Sequence, residues 1–189
     1  MTTIDTRNRI LDAAEHCVIE HGVANLTLDS VAARAGVSKG GLLYHYAGKD
    51  ALVAALIDRL TRAVDARMDA CRQADPSHGA GVRAYLLAAL PPDHDSEAIA
   101  RREASLIAAL GTRPEQVARY ADRQRDWQAQ IAADVADPLL AHIVRLAVDG
   151  IWMNEAFGIE PLDPVTRTAV IERLLTLTRE TSFPAQGKD

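Results

Sequence analysis

The sequence predicts an all-α fold of about nine helices. Apolar residues recur every three to four positions along most of the chain, as they do on the buried face of a helix. Clusters of proline, glycine and acidic residues interrupt this spacing and separate one helix from the next. No run of alternating apolar residues is long enough to predict a strand. The predicted order is a small N-terminal domain of three helices, followed by a larger helical domain.

The first predicted helix begins at Ile4 or Thr6 and ends at His21, just before Gly22. Its apolar residues share one face at helical spacing, and these are Ile10, Leu11, Ala14, Cys17 and Val18. His16 and Glu20 are four residues apart on its outer side, where a solvated face explains them better than a metal site.

A tight turn joins the next two short helices. Thr27 is expected to cap the first of them, since its hydroxyl accepts a hydrogen bond from the backbone N–H groups that open a helix. Gly36 suits the left-handed backbone that ends a helix, Val37 is the apolar residue that anchors the turn, and Ser38 is a second N-cap. Small side chains allow the two helices to cross closely, as in a helix-turn-helix. The apolar stripe of the first helix consists of Val31, Ala32 and Ala35.

The second helix of the turn, which we treat as a candidate recognition helix, opens with Lys39, Gly40 and Gly41. Each glycine costs a helix about 1 kcal/mol relative to alanine. One interpretation is that bare backbone lets the helix approach DNA closely, and the other is simply a loosened turn. Tyr44 and His45 favour the first, since they face the same groove as Lys39 and offer donors and flat rings to phosphates and bases.

This N-terminal pattern resembles the tetracycline-repressor (TetR) family of bacterial regulators over about the first sixty residues. The resemblance is carried by residues 9–14, Gly22, Leu28, residues 36–40, residues 44–46 and residues 49–52. It implies DNA contacts by Thr27, Ser38, Lys39, Gly41, Tyr44, His45 and Lys49. Leu43 stands where the family commonly has an aromatic residue, so Tyr44 and His45 are expected to carry more of the binding.

The charge balance predicts that the helix-turn-helix domain binds DNA as a dimer. The whole chain has a formal net charge of -5, and residues 1–60 hold six Lys and Arg against seven Asp and Glu, a net of 6 - 7 = -1. Binding must then rely on a few placed donors, namely Arg7, Arg34, Lys39 and Lys49, together with helix N-termini. A DNA-binding domain that binds weakly on its own gains affinity when two such domains are linked. We therefore expect a homodimer on double-stranded DNA with a palindromic operator.

A long fourth helix is predicted from Lys49 to about Arg72, with Leu52, Leu56, Leu60 and Val64 at intervals of four. Five further helical segments are predicted at about 79–90, 96–110, 114–135, 138–157 and 164–182. The expected domains are a DNA-binding domain at 1–48 and a ligand-binding and dimerisation domain at 49–183, in which 49–73 is the connecting helix. Residues 184–189 are expected to form a flexible tail.

The last two long helices are more apolar than one buried face requires. The family resemblance implies a four-helix bundle formed by two copies of this pair, and the alternative is a fully buried core helix. The predicted dimer interface consists of Leu140, Ile143, Val144, Ala147, Ile151, Val170, Leu174 and Leu177.

An effector site is predicted on the helices from 114 to 157. Aromatic residues make up only 4% of the chain, yet both tryptophans lie on these segments. They suggest either the wall of a cavity or ordinary core filler. The pattern resembles the multidrug-sensing branch of the family, which implies a hydrophobic or cationic effector held near acidic groups. The candidate ligand-binding residues are Glu103, Tyr120, Gln124, Trp127, Asp149, Trp152 and Glu155.

Other classes of protein are less consistent with the sequence. No catalytic grouping, phosphate-binding loop or metal-ligand spacing stands out. We therefore expect that the protein is not an enzyme and that it binds no cofactor or metal. No stretch of eighteen apolar residues or export signal is present, so we expect a cytoplasmic protein without a membrane partner. Cys17 and Cys71 are expected to be buried thiols. The family resemblance implies a ligand-responsive transcriptional repressor that a small hydrophobic or cationic effector releases from its operator. The alternative function is a ligand-independent architectural DNA-binding protein, or an activator of the same fold.

Overall fold

The computed structural model describes residues 3–90, 103, 106–107, 114–135 and 137–180. Within these ranges the chain is helical and contains no strand, which confirms the all-α fold class. The eight α-helices of the described part are α1 Thr3–His21, α2 Leu28–Ala35, α3 Lys39–His45, α4 Lys49–Ala74, α5 Ala80–Ala89, α6 Pro114–Ala133, α7 Pro138–Phe157 and α8 Pro164–Glu180.

The predicted helix at 96–110 lies mostly outside the described residues, although Glu103, Leu106 and Ile107 are helical. The predicted tail at 184–189 also lies outside them. A short 3-10 turn at Val23–Asn25, which the sequence did not predict, connects α1 to α2. In the described part of the chain, no helix is long and apolar enough to cross a membrane.

The chain forms two compact units. The first contains residues 1–62 and 102–120, and the second contains residues 63–101 and 121–189. Two helices contribute to both units, because α4 and α6 each run through a boundary without a break. α4 is therefore the continuous helix that the sequence predicts after the turn.

The core of the first unit forms where α1 packs on α2 and α2 packs on α3. Its fully buried side chains include Ile10, Val31, Leu42 and Leu52, one from each of the first four helices. The predicted stripe of α2 is buried as well. Cys17 is buried in this core, whereas Cys71 in the second unit is only half-buried, and both thiols are free.

The second unit is built around α5, which packs against α7 and α8. Because α5 is buried on nearly every side, its sequence is almost continuously apolar. Val82 and Leu86 of α5 pack with Ile131 of α6 and Val144 of α7, all of them fully buried.

A buried arginine ties the start of α5 to the preceding loop. Arg83 Nε donates to Asp75 Oδ2 at 2.6 Å, and Arg83 Nη2 donates to Ser77 Oγ at 2.7 Å. The pKa of Asp75 lies well below its usual value of 3.8, because its carboxylate accepts hydrogen bonds first from Arg83 and then from Ser77. The guanidinium has little access to water, so it depends on this carboxylate.

The variant Asp75→Asn is expected to unfold at a lower temperature than the parent chain at pH 7, because it leaves Arg83 buried without its carboxylate. A carboxyl whose pKa is lowered by folding stabilises the protein above its unfolded-state pKa and loses that effect as the pH falls. The difference between variant and parent in thermal unfolding should therefore shrink below about pH 4. A difference that stays constant with pH would contradict this role of Asp75.

Candidate nucleic-acid interface and interior polar cluster

The turn between α2 and α3 has the predicted capping chemistry. Thr27 Oγ1 accepts from Ser30 N at 3.1 Å, and Ser38 Oγ accepts from Gly41 N at 3.0 Å. Gly36 adopts φ 65° and ψ 37°, the left-handed region that a residue with a side chain rarely enters. The backbone N–H of Val37 then donates to the Ala32 carbonyl at 3.0 Å. These bonds fix the start of α3 relative to the end of α2.

The candidate recognition helix presents its polar side chains to the outside. Tyr44 is 82% exposed, and its ring meets that of His45 edge-on with 5.1 Å between centroids. Thr27 and Ser38 are exposed, and Lys49 is half-buried. His45 is half-buried, so Tyr44 is the member of the aromatic pair that contributes little to the core.

The two glycines of α3 differ in their surroundings. A Cβ at Gly40 would meet only Ser38 Oγ, at 4.0 Å, whereas one at Gly41 would lie 3.3 Å from the same atom. The fold leaves room for a side chain at Gly40, so internal packing does not require a glycine there. This favours the interpretation that an external surface approaches the backbone at Gly40.

The predicted cationic donors are all engaged within the chain. Lys39 Nζ donates to Asp29 Oδ2 at 3.0 Å, and Lys49 Nζ donates to the Ala24 carbonyl at 3.2 Å. Arg7 Nε donates to Tyr46 Oη at 3.2 Å and its guanidinium lies over that ring. The sequence did not predict these partners.

Arg34 forms a two-pronged ion pair with Glu20 of α1, with N–O distances of 2.5 and 2.6 Å. The hydrogen bond from Arg34 lowers the pKa of Glu20, and the same bond raises the pKa of Arg34. The pair connects α1 to α2, and it is exposed to solvent. Glu20 thus binds an arginine, and among the described residues no group of side chains suits a metal ion.

In the second unit, Trp127 is only 3% exposed and lies in a polar cluster. Its Nε1 donates to Asp65 Oδ1 of α4 at 2.7 Å. Arg123 pairs with the same carboxylate, and its guanidinium carbon lies 5.5 Å from the centroid of the Trp127 ring. The Tyr85 ring contacts the indole at a tilt of 55°, with 6.4 Å between centroids.

A second carboxylate extends this cluster. Tyr85 Oη donates to Asp149 Oδ1 at 2.6 Å, and Arg145 Nη1 donates to Asp149 Oδ2 at 2.8 Å. Arg145 Nε also donates to Gln128 Oε1 at 2.6 Å. Over the described ranges, Arg123 Nε and Gln128 Nε2 are buried without a hydrogen-bond partner. We call this group the interior polar cluster, although its four charged side chains are only half-buried. It consists of Asp65, Tyr85, Arg123, Trp127, Gln128, Arg145 and Asp149, and it contains the two unsatisfied donors.

The structure brings only part of the predicted ligand-binding set together. Trp127 and Asp149 belong to the interior polar cluster, and Trp152 packs against the core of the same unit. Gln124 lies on α6 and is half-buried. Glu155 is buried and accepts from Arg167 Nε at 2.6 Å, so it ties α7 to α8.

Two other predicted ligand-binding residues belong to the first unit. Tyr120 packs against the core of that unit, and Glu103 is buried. Five members of the interior polar cluster were not predicted from the sequence, namely Asp65, Tyr85, Arg123, Gln128 and Arg145. The four-residue spacings from Arg123 to Trp127 and from Arg145 to Asp149 were available signals, since residues four apart share a helix face.

The predicted dimer residues lie on α7 and α8 and differ in exposure. Ile143 is half exposed, while the others are buried or half-buried within this one chain. The buried ones are Leu140, Val144, Ile151 and Leu174, and the half-buried ones are Ala147, Val170 and Leu177.

The exposed residues of α7 include the polar His142 and an apolar row that runs along the helix. The members of this row alternate at spacings of four and three, as in the seam of a coiled coil. Gly150 lies within the row, and a Cβ there would meet nothing within 4 Å. We call this row the outer stripe of α7, and it consists of Leu139, Ile143, Leu146, Gly150, Met153 and Phe157.

The capped turn and its exposed second helix form a helix-turn-helix, and a larger helical unit follows it. The chain is therefore a helix-turn-helix protein with two helical parts. Two sequence profiles agree with this class. One described as "Bacterial regulatory proteins, tetR family" matches residues 10–56, and one described as "Tetracyclin repressor-like, C-terminal domain" matches residues 79–179. The second covers more than half of the chain, and the chain belongs to the TetR family.

Individual relatives support this membership. The HTH-type transcriptional repressor Rv1474c of Mycobacterium tuberculosis is 30% identical over 166 residues, which cover 82% of this chain and 84% of that protein. The HTH-type transcriptional regulator TtgR of Pseudomonas putida is 43% identical over 56 residues. That match covers 30% of this chain and 27% of TtgR, so the chain matches about a quarter of the length of that relative.

A solved structure extends the likeness across both units. It is the multidrug binding protein EbrR complexed with malachite green, which is 29% identical, with a TM-score of 0.68. The alignment covers 89% of this chain and 96% of EbrR. EbrR complexed with ethidium is similar to this chain as well, at 27% identity and a TM-score of 0.67.

Proposed function

We propose that this protein is a ligand-responsive transcriptional repressor that binds a palindromic DNA operator as a homodimer. The exposed Tyr44, which shares a ring contact with the half-buried His45 on the same helix as Lys39, is the observation that carries this proposal. Side chains that stabilise no core and are held at the end of a rigid turn suit a role in binding. The repressor Rv1474c and the regulator TtgR, by their names, point to the same activity.

The outer stripe of α7 supports the homodimer. An exposed apolar row along a helix of 20 residues is unfavourable in water. A second copy of the chain offers the same row, and Gly150 in its middle lets two helices approach closely. Two protomers related by a two-fold axis would also present two recognition helices, as a palindromic operator requires.

The interior polar cluster supports a small-molecule effector. Flat cations bind to aromatic faces beside carboxylates, and the cluster supplies both. Malachite green and ethidium, with which EbrR is complexed, are aromatic cations. The unsatisfied donors at Arg123 and Gln128 also leave polar positions for a ligand acceptor. The tight internal pairing of the cluster favours the alternative, a DNA-binding protein without an effector, so the two need a direct test.

Arg123 occupies the position over Trp127 that a flat cation would take. The variant Arg123→Ala is therefore expected to bind malachite green about tenfold more tightly than the parent chain, because the ring face and the Asp65 carboxylate become available. Quenching of tryptophan fluorescence measures the affinity. Arg125→Ala is the matched control, since Arg125 is exposed and pairs with Asp122 on its own helix. Equal affinities in the two variants would contradict a cation site at Trp127.

Helix α4 offers a route from effector to DNA. Its first residue, Lys49, is a predicted DNA contact, and Asp65 of the interior polar cluster lies on the same unbroken helix. A ligand that moves Asp65 would shift α4 and change the distance between the two recognition helices of the dimer. That distance must match adjacent major grooves, roughly 34 to 36 Å apart or a multiple of this.

Release of operator DNA by a ligand tests the proposal. A fluorescent operator duplex obtained by selection would be titrated with the protein, with and without tetraphenylphosphonium, an aromatic cation that does not intercalate into DNA. Coupling of the usual size would weaken operator binding by about 5- to 150-fold. Unchanged operator affinity at a concentration where calorimetry shows the ligand fully bound would contradict ligand-controlled release and favour the alternative.

A further inference from the structure

The recognition helix carries a single lysine or arginine, and a carboxylate already holds it. Lys39 is the only such residue among the seven of α3. Its Nζ lies 3.0 Å from Asp29 Oδ2, across the turn on α2. Both side chains are mostly exposed, Lys39 at 54% and Asp29 at 71%, so neither is required for the core. This pair lies at the surface that the proposed function assigns to DNA.

Two other cations of the first unit are also paired with carboxylates. Arg34 is paired with Glu20, and Arg59 is paired with Asp12 and Glu15. Lys39 differs from these in one respect, because it belongs to the helix that enters the groove. A DNA phosphate that binds Lys39 must therefore either displace Asp29 from Lys39 or bind next to the negatively charged Asp29 carboxylate.

Displacement has a cost that depends on the surrounding salt. Binding to non-matching DNA depends almost entirely on contacts between cations and phosphates, with release of counterions from the DNA. When Lys39 exchanges Asp29 for a phosphate, the freed carboxylate attracts cations from solution, so fewer ions are released in total. The carboxylate also repels the phosphates near it.

We propose that Asp29 competes with DNA phosphates for Lys39 and thereby keeps the affinity of the protein for non-matching DNA low. This inference rests on the proposed function and adds a residue that lowers the affinity for DNA phosphates without contacting a base. An acidic residue that weakens the wrong complex is a common means of discrimination in binding proteins.

The test compares Asp29→Asn with the parent chain on a duplex of unrelated sequence, by fluorescence anisotropy at several salt concentrations. The variant is expected to bind about tenfold more tightly at low salt, given two exposed pairs per dimer. The advantage should shrink as salt rises. Asp58→Asn is the matched control, since it removes an equal charge from an exposed position on α4 that pairs with none of the predicted DNA-contacting cations.

A second comparison separates competition for Lys39 from a general effect of charge. In a Lys39→Ala background, Asp29→Asn is expected to increase the affinity for DNA no more than Asp58→Asn does. The reason is that Lys39, for which Asp29 and the phosphates compete, is absent. A gain that persists in this background would overturn the inference, and so would equal affinities of the two single variants.

Stability provides a further readout. Asp29 lies in the first turn of α2, where a carboxylate interacts favourably with the helix dipole. Asp29→Asn should therefore melt at a slightly lower temperature while it binds DNA more tightly. If Asp29 only stabilised the helix, its replacement by asparagine would not increase the affinity for DNA. Failure of the parent chain to bind even its selected operator would instead contradict the proposed function, and with it this inference.

Discussion

Replacement of Tyr44 by alanine is expected to weaken operator binding by about a hundredfold or more, without loss of the fold. The side chain is 82% exposed, so its removal leaves the core of the first unit unchanged. Each protomer would lose a hydrogen bond to a charged phosphate, which contributes about 1.5 to 3 kcal/mol, and a dimer loses two. Fluorescence anisotropy with the selected operator measures the change, and thermal unfolding confirms that the fold is retained.

Two control variants separate the parts of this contact. Tyr44→Phe keeps the ring but removes the hydroxyl, so it should retain part of the affinity. Leu43→Ala removes a neighbouring exposed side chain that has no polar group, and it should change operator affinity little. If Tyr44→Ala bound the operator as tightly as Leu43→Ala, α3 would not contact DNA through its aromatic pair.

Two charges on the outer stripe of α7 are expected to separate the dimer. In the double variant Ile143→Asp with Leu146→Asp, two side chains that are 51% and 61% exposed in one chain become carboxylates. Their burial between two protomers would be strongly unfavourable. Sedimentation should show a monomer, and operator affinity should fall by about 10² to 10⁴, the gain that linkage of two weak sites provides.

Val117→Asp is the control for this variant, because Val117 is exposed on α6 and is not part of the outer stripe. It should remain a dimer with unchanged operator affinity. A parent chain that sediments as a monomer at micromolar concentration would contradict the homodimer. A double variant that remains dimeric would place the interface on a different surface.

The helix-turn-helix could be predicted in detail because its determinants are local. Gly36 has the positive φ that its position requires, and Thr27 and Ser38 cap the helices that follow them. Each of these interactions links residues no more than five positions apart. Hydrophobic spacing also located the helices, because it depends on the helical repeat alone.

The faces of α7 could not be predicted because the helix is apolar on nearly every side. Hydrophobic spacing identifies a buried face only when polar residues mark the opposite one. Leu140 and Val144 are therefore in the core, while Leu139 and Leu146 are exposed. The sequence predicts an apolar helix here, and only packing distinguishes the core face from the outer stripe.

The polar contacts between helices were equally hidden. The pair of Lys39 and Asp29 spans the turn, and the contact of Trp127 with Asp65 joins residues 62 positions apart. Such pairs depend on how helices cross, which hydrophobic spacing does not encode. For this reason the sequence indicated the tryptophan and Asp149 but missed Asp65, Tyr85 and the two arginines of the interior polar cluster.

Selection of bound duplexes from a random DNA pool by the full chain tests the central claim most directly. A paired helix-turn-helix should enrich one sequence with two inverted half-sites, whose centres are about 34 to 36 Å apart or a multiple of this along the duplex. The variant Tyr44→Ala should not enrich it. Enrichment of no sequence, or of a single half-site without its inverted copy, would contradict a dimeric DNA-binding regulator.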